Sequence, residues 1–219
     1  MKLQYLGDSK DSFKWDYHDY LAGELELPIL KIALMMTPDD QSKKGKSHPT
    51  LFPARKEIIE FCEILRRHRD IDLIRKLPEK TNSSYNINLH QGMTCIKNEN
   101  RKEYFSGFSN ERQLLFLDPD NGFEPEKSFG EEHVLYSDME HILEQLSEES
   151  LVSVFQHSRR KRFVDDFARI KERLGGVYAT AIYWHSLMFV IVSNSEQVIK
   201  KVADANRKYA KNKPVKAIA

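Results

Sequence analysis

Four consecutive apolar residues, Leu114-Leu115-Phe116-Leu117, run directly into Asp118-Pro119-Asp120-Asn121-Gly122-Phe123. An apolar run of that length without alternation marks a strand covered on both faces, the usual condition of a parallel sheet packed between helices. Asp, Pro, Asn and Gly then break it into a tight turn. In open α/β sheets ligands are held at the carboxyl ends of the strands. This stretch therefore points to a fold class and to the place of a site.

The rest of the chain supplies alternating helix and strand signals. Phe13, Tyr17, Tyr20 and Leu21 share one helical face over Ser9–Leu21, with Ser9 as N-cap and Gly23 ending the segment. Residues 28–36 read as a strand stopping at Thr37-Pro38-Asp39-Asp40, and residues 41–49 as a basic, turn-rich loop. Pro53 suits the start of a helix whose core face is Ile58, Phe61, Cys62 and Leu65. Residues 79–111 hold two short strand patterns, at 85–89 and 93–96, and suit either an insertion or a small β ribbon. Ser137 to Glu140 opens a helix with a capping-box pattern, and 151–155 repeats the buried-strand signal. Phe163, Phe167, Ile170 and Leu174 mark a helix closed by Gly175-Gly176. Residues 178–184 and 187–193 form a hairpin about His185-Ser186, followed by a helix over 195–210 and a basic tail from Lys211 that should fray. The expectation is one α/β domain over residues 1–219, with a mainly parallel sheet and a C-terminal antiparallel hairpin.

Bulk properties narrow the function classes. With 34 basic and 33 acidic residues the net charge is +1, so any nucleic-acid contact must come from local clusters. Two cysteines, Cys62 and Cys95, suit a reducing setting and are too few for a cysteine-rich zinc site. The longest apolar run, Leu187 to Val192, falls short of a membrane span, and a cytoplasmic location is expected. Phosphate-loop, dinucleotide-binding, zinc-protease and nucleophile-elbow motifs are absent from the sequence.

Polar clusters end three of the expected strands: Asp39 with Asp40; Asp118, Asp120 and Asn121; then Gln156, His157, Arg159, Arg160 and Lys161. Parallel neighbours would set all three along one rim. Asp39, Asp40, Asp118 and Asp120 could hold magnesium through carboxylate oxygens. Arg159, Arg160 and Lys161 could bind phosphate. His157 could move a proton, with Asp118 and Asp120 as catalytic carboxylates and Asn121, Gly122 and Gln156 supporting the turn. Each cluster also has a plain explanation. Asp-Pro-Asp-Asn-Gly is good turn chemistry, Asp39-Asp40 could cap a helix, and Arg159 to Arg162 could start a solvated one. Four positive charges at a helix N-terminus do oppose its dipole, which a bound anion would relieve. His18, His48, His90 and His133 lack partners at metal-ligand spacing and count as structural or exposed.

At Leu114–Phe123 the chain resembles class I methyltransferases that modify nucleic acids. Their fourth strand ends in an Asp/Asn-Pro-Pro-aromatic turn, which Asp118-Pro119-Asp120 matches in its first two positions, with Phe123 supplying a displaced aromatic. The hairpin 178–193 is similar to the antiparallel pair that closes their sheet. More narrowly, the chain looks like a bacterial and phage family near the three-Cys-motif partner proteins. The resemblance implies a Rossmann-like, methyltransferase-like three-layer sandwich. Such enzymes hold S-adenosylmethionine on a glycine-rich turn after the first strand. Here that place reads Met35-Met36-Thr37-Pro38-Asp39-Asp40, which argues against the usual mode of cofactor binding. Metal-assisted phosphodiester or nucleotide hydrolysis is the leading expectation. Its rivals are S-adenosylmethionine-dependent nucleic-acid methylation, and a non-catalytic nucleic-acid- or protein-binding module using Lys43 to Lys46 and Arg159 to Arg162.

Overall fold

The computed structural model describes residues 1–39 and 47–218. Most of the basic loop, and Asp40 with it, lies outside the described residues. Within them the strands are β1 (Ile29–Ala33), β2 (Asn86–His90), β3 (Leu114–Leu117), β4 (Gly122–Phe123), β5 (His133–Val134), β6 (Leu151–His157), β7 (Tyr178–Trp184), β8 (Leu187–Ser193) and β9 (Lys216–Ile218). The helices are α1 (Ser9–Glu24), α2 (Lys56–His68), α3 (Leu77–Thr81), α4 (Arg101–Tyr104), α5 (Tyr136–Leu143), α6 (Phe163–Leu174) and α7 (Glu196–Ala210). The protein is α/β, built on a seven-stranded mixed sheet in the order β2-β1-β3-β6-β8-β7-β9, with β4 and β5 forming a small separate pair. Strands β2, β1, β3 and β6 run parallel, β8 runs against β6, and β7 and β9 alternate beyond it. No helix among the described residues is long and apolar enough to cross a membrane.

Side-chain alternation explains how one sheet serves two cores. Leu114 and Phe116 of β3 join the core beneath α1, α2 and α7, while Leu115 and Leu117 join the core beneath α4, α5 and α6. The strand is buried at every position, as its unbroken apolar run predicts.

Helix α1 lies at the centre of the first core. Phe13, Trp15 and Tyr17 are fully buried, and Asp11, Lys14, Asp16, His18 and Asp19 are buried with them. A helix carrying that many charges normally faces water; here each charge meets a partner. Asp8, not Ser9, is the N-cap, its Oδ1 accepting from the backbone N–H of Lys10 (2.8 Å) and Asp11 (3.1 Å). The helix runs through Gly23 to Glu24.

Several expected boundaries shift for local reasons. Strand β1 ends at Ala33 because Met35 turns into the left-handed region at φ +46°. Residues 86–90 pair with β1 as an edge strand of the main sheet, whereas 93–96 contribute only an isolated bridge between Met36 and Cys95. Pro53 precedes α2, whose first residue is Lys56. The tail does not fray over 216–218: it pairs with β7, and Thr180 Oγ1 donates to the Ile218 carbonyl at 2.6 Å. The hairpin and α6 fall where their patterns place them.

Candidate active site at the switch point

From β1 the chain moves outward to β2, and from β3 it moves the opposite way to β6. The direction of winding therefore reverses between β1 and β3, and the carboxyl ends of those strands part to leave a crevice. An open cavity of about 830 Å3 lies there. It is lined by the strand ends (Thr37, Pro38, Asp118 to Asn121, Phe155, His157), by the start of α1 (Asp8, Asp11, Lys14) and by Tyr5, Glu131 and Glu132.

The structure brings Asp118, Asp120, Asn121 and His157 to this one cavity. Asp118 is almost wholly buried, and its Oδ2 accepts from the Lys14 ammonium at 2.7 Å. Lys14 also donates to Asp11 Oδ1 at 2.7 Å. Burial alone would lower the Lys14 ammonium, but Asp11 and Asp118 outweigh it and hold it above its ordinary range. The carboxylates fare differently. Burial raises Asp118 despite Lys14, and burial together with Asp11 pushes Asp8 up to about 6. One ammonium is bonded between two buried carboxylates with a third beside them, so the cation is held firmly while burial still prevails at Asp8 and Asp118.

Asp120 is engaged separately. Its Oδ1 lies 3.3 Å from the Met1 amine, and its Oδ2 accepts from the Thr37 hydroxyl. The same amine donates to the carbonyls of Met35 (2.7 Å) and Asp118 (3.1 Å). Burial lowers the pKa of that amine.

The turn after β3 is clasped to β6. Gln156 Oε1 accepts from the Phe123 N–H at 2.9 Å, and its Nε2 donates to the carbonyls of His157 (2.9 Å) and Asn121 (3.4 Å). Gly122 sits at φ +105°, and a Cβ there would meet the Gln156 carboxamide and lie 2.8 Å from its Cα. The glycine is thus required by close approach as well as by backbone angle. The backbone N–H of His157 donates to the Asn121 carbonyl at 3.1 Å, and its Nδ1 lies 3.1 Å from the Ser158 carbonyl.

The basic residues after β6 go elsewhere. Arg159 donates to the Phe123 carbonyl and lies 3.4 Å from Asp166. Lys161 lies 3.9 Å from Glu126, and Arg162 is paired with Asp165 at 2.8 Å. Arg160 is exposed, and none of Arg159, Arg160 and Lys161 lines the cavity. The conflict between positive charge and the α6 dipole is relieved by Asp165 and Asp166 in the helix's first turn. Asp39 lies outside the lining, its Oδ1 3.4 Å from the Gln4 N–H.

These residues do not fit magnesium. The space between Asp11 and Asp118 is filled by an ammonium, and both oxygens of Asp120 are taken by an amine and a hydroxyl. Among the described residues no three His, Cys, Asp or Glu side chains converge in a way that could hold a metal ion.

Asp8, Asp11 and Lys14 were not anticipated. Their spacing of three was the available signal, because it sets all three on one side of a helix. His18, one turn beyond Lys14, is structural: its ring lies 2.7 Å from the Lys14 carbonyl and 2.8 Å from Ser153 Oγ, and burial pushes it down to about 3. The sequence matches no protein-family model and no curated protein.

Proposed function

We propose that the protein is a metal-independent group-transfer enzyme on a methyltransferase-like Rossmann fold, with a sulfonium methyl donor of the S-adenosylmethionine class as the ligand of its crevice. The observation that carries this reading is the Lys14 ammonium, fixed 2.7 Å from both Asp11 and Asp118. It takes the place a magnesium ion would need, yet leaves the wall acidic. Among the described residues six carboxylates line the cavity (Asp8, Asp11, Asp118, Asp120, Glu131, Glu132) against Lys2, Lys10, Lys14 and the Met1 amine. Such a wall attracts a cation and repels an unscreened phosphodiester.

Further features support the same reading. An antiparallel β8 inserted between β6 and β7, which share a direction, is the closing arrangement of methyltransferase-like sheets. Met35 reaches the left-handed conformation after β1 without a glycine. Tyr5 and Phe155 add aromatic surface to the lining, which favours a sulfonium centre. When bound, the donor would supply an electrophilic methyl group; the chain's own residues would bind and orient it.

Calorimetry with S-adenosylmethionine tests this directly, with saturable heat expected in the absence of any divalent metal. No heat at millimolar cofactor, together with magnesium-dependent cleavage of DNA, RNA or nucleotides that is lost in Asp118→Ala, would overturn it in favour of hydrolysis.

A further inference from the structure

The wall of the crevice formed by α1 and β3 holds its charges out of balance. Lys14 bonds to Asp11 and Asp118 only, while the Met1 amine acts on Asp118 and Lys10 acts on Asp8 through space. Asp8, 4% exposed, receives two backbone N–H groups through Oδ1 and has no ion pair among the described residues. Asp118, whose side chain is 3% exposed, meets Lys14 through Oδ2, and its Oδ1 has no hydrogen-bond donor among the described residues. Both side chains line the cavity. Two buried carboxylates thus present oxygens without a full complement of donors to a space large enough for a nucleoside-sized molecule.

We propose that Asp8 makes ligand recognition proton-linked: the empty crevice carries a proton on Asp8, and a cationic ligand expels it. This inference rests on the sulfonium reading of the same cavity. In the step itself the O–H bond of the Asp8 carboxyl breaks and the proton passes to solvent. The carboxylate left behind faces the positive charge of the ligand. The groups that face Asp8 are Lys10, Asp11 and Lys14 on its own helix and Cys62 on α2, with Asp118 across the cavity. Of the two cations, Lys14 is already shared between Asp11 and Asp118. The pKa of Asp8, pushed up to about 6 by burial and by Asp11, puts the exchange in an accessible range.

The experiment is calorimetry of the full chain with S-adenosylmethionine between pH 5 and 8, in buffers of different ionisation enthalpy. Release of about half a proton is expected near pH 6, and affinity should rise about tenfold from pH 5 to pH 7. Asp8→Asn keeps a side chain that can cap α1 and should abolish both effects, while His157→Gln should retain them. S-adenosylhomocysteine, which lacks the sulfonium charge, should bind with little proton release. If S-adenosylmethionine binds with no proton release, or the release follows His157 instead of Asp8, the proton link is overturned and the cofactor reading stands. If it does not bind at any pH, both fall together.

Discussion

Helix α1 carries two buried ionic clusters that differ in one respect: whether donors outnumber acceptors. Toward its C-terminal half, Asp19 Oδ1 accepts from Thr81 Oγ1 (2.7 Å), Ser83 Oγ (2.9 Å) and Tyr85 Oη (2.6 Å), while its Oδ2 accepts from Arg55 at 2.7 Å. Asp16 accepts from Arg55 Nε at 2.8 Å and Tyr209 Oη at 2.6 Å, with Lys213 Nζ at 3.1 Å. Burial would raise Asp16, but Arg55 and Tyr209 prevail and hold it below its usual range. Every carboxylate oxygen there is satisfied, and nothing remains for a ligand. At the N-terminal end the ratio is inverted, and that end opens on the cavity. A saturated buried carboxylate holds the fold together, whereas a starved one beside open space is available for chemistry.

Three substitutions would sharpen or break this contrast. The largest loss is expected in the saturated cluster. Asp19→Ala strands three hydroxyl groups and one arm of Arg55, and should lower unfolding free energy in urea by about 3–5 kcal/mol. A loss under 1 kcal/mol would deny that cluster its structural role.

Lys14→Met should cost about 2–4 kcal/mol at pH 7. It leaves Asp11 and Asp118 uncompensated, so the native-state affinity of Asp118 for protons, already raised by burial, rises further. Native protein then binds more protons than the unfolded chain, and the deficit should shrink as pH falls from 7 to 5. A deficit that stays constant over that range would contradict the shared-ammonium account.

Asp8→Asn has the smallest expected effect, and it is a gain. Asp8 binds its proton more tightly folded than unfolded, so wild-type stability rises as pH drops through about 6 and levels off near the ordinary carboxylate value. The asparagine mimics the protonated form. The variant should therefore exceed wild type by about 1–2 kcal/mol at pH 8 and match it below about pH 4. Asp16, held low, acts in the opposite sense: its contribution is intact above the unfolded carboxylate value and is lost only below it. Destabilisation by Asp8→Asn at pH 8 would place Asp8 with the saturated group.

What the sequence disclosed follows from which interactions are local. The β3 turn, the apolar face of α2 and the β7–β8 hairpin are written in neighbouring residues, and each forms close to where its pattern sets it. The meeting of Asp118, Asp120 and His157 follows from strand-end topology, a rule that needs only strand order. Lys14 could not be foreseen in the same way. Its partner Asp118 is 104 residues distant, and a lysine within a polar helix reads as solvated until the helix is known to be buried. The run at 159–162 is answered one turn later by Asp165 and Asp166, partners that its own residues do not announce.

The Gln156 clasp decides how the crevice can breathe. With Phe123, Asn121 and His157 all tethered to a single carboxamide, the wall shared by the β3 turn and β6 moves as one rigid block. Any widening to admit a guest must come from outside this clasp, where Tyr5, Asp8 and Glu131 border the opening; Met1 and Glu132 are themselves bonded to the β3 turn. Entry is thereby given a fixed side and a yielding side.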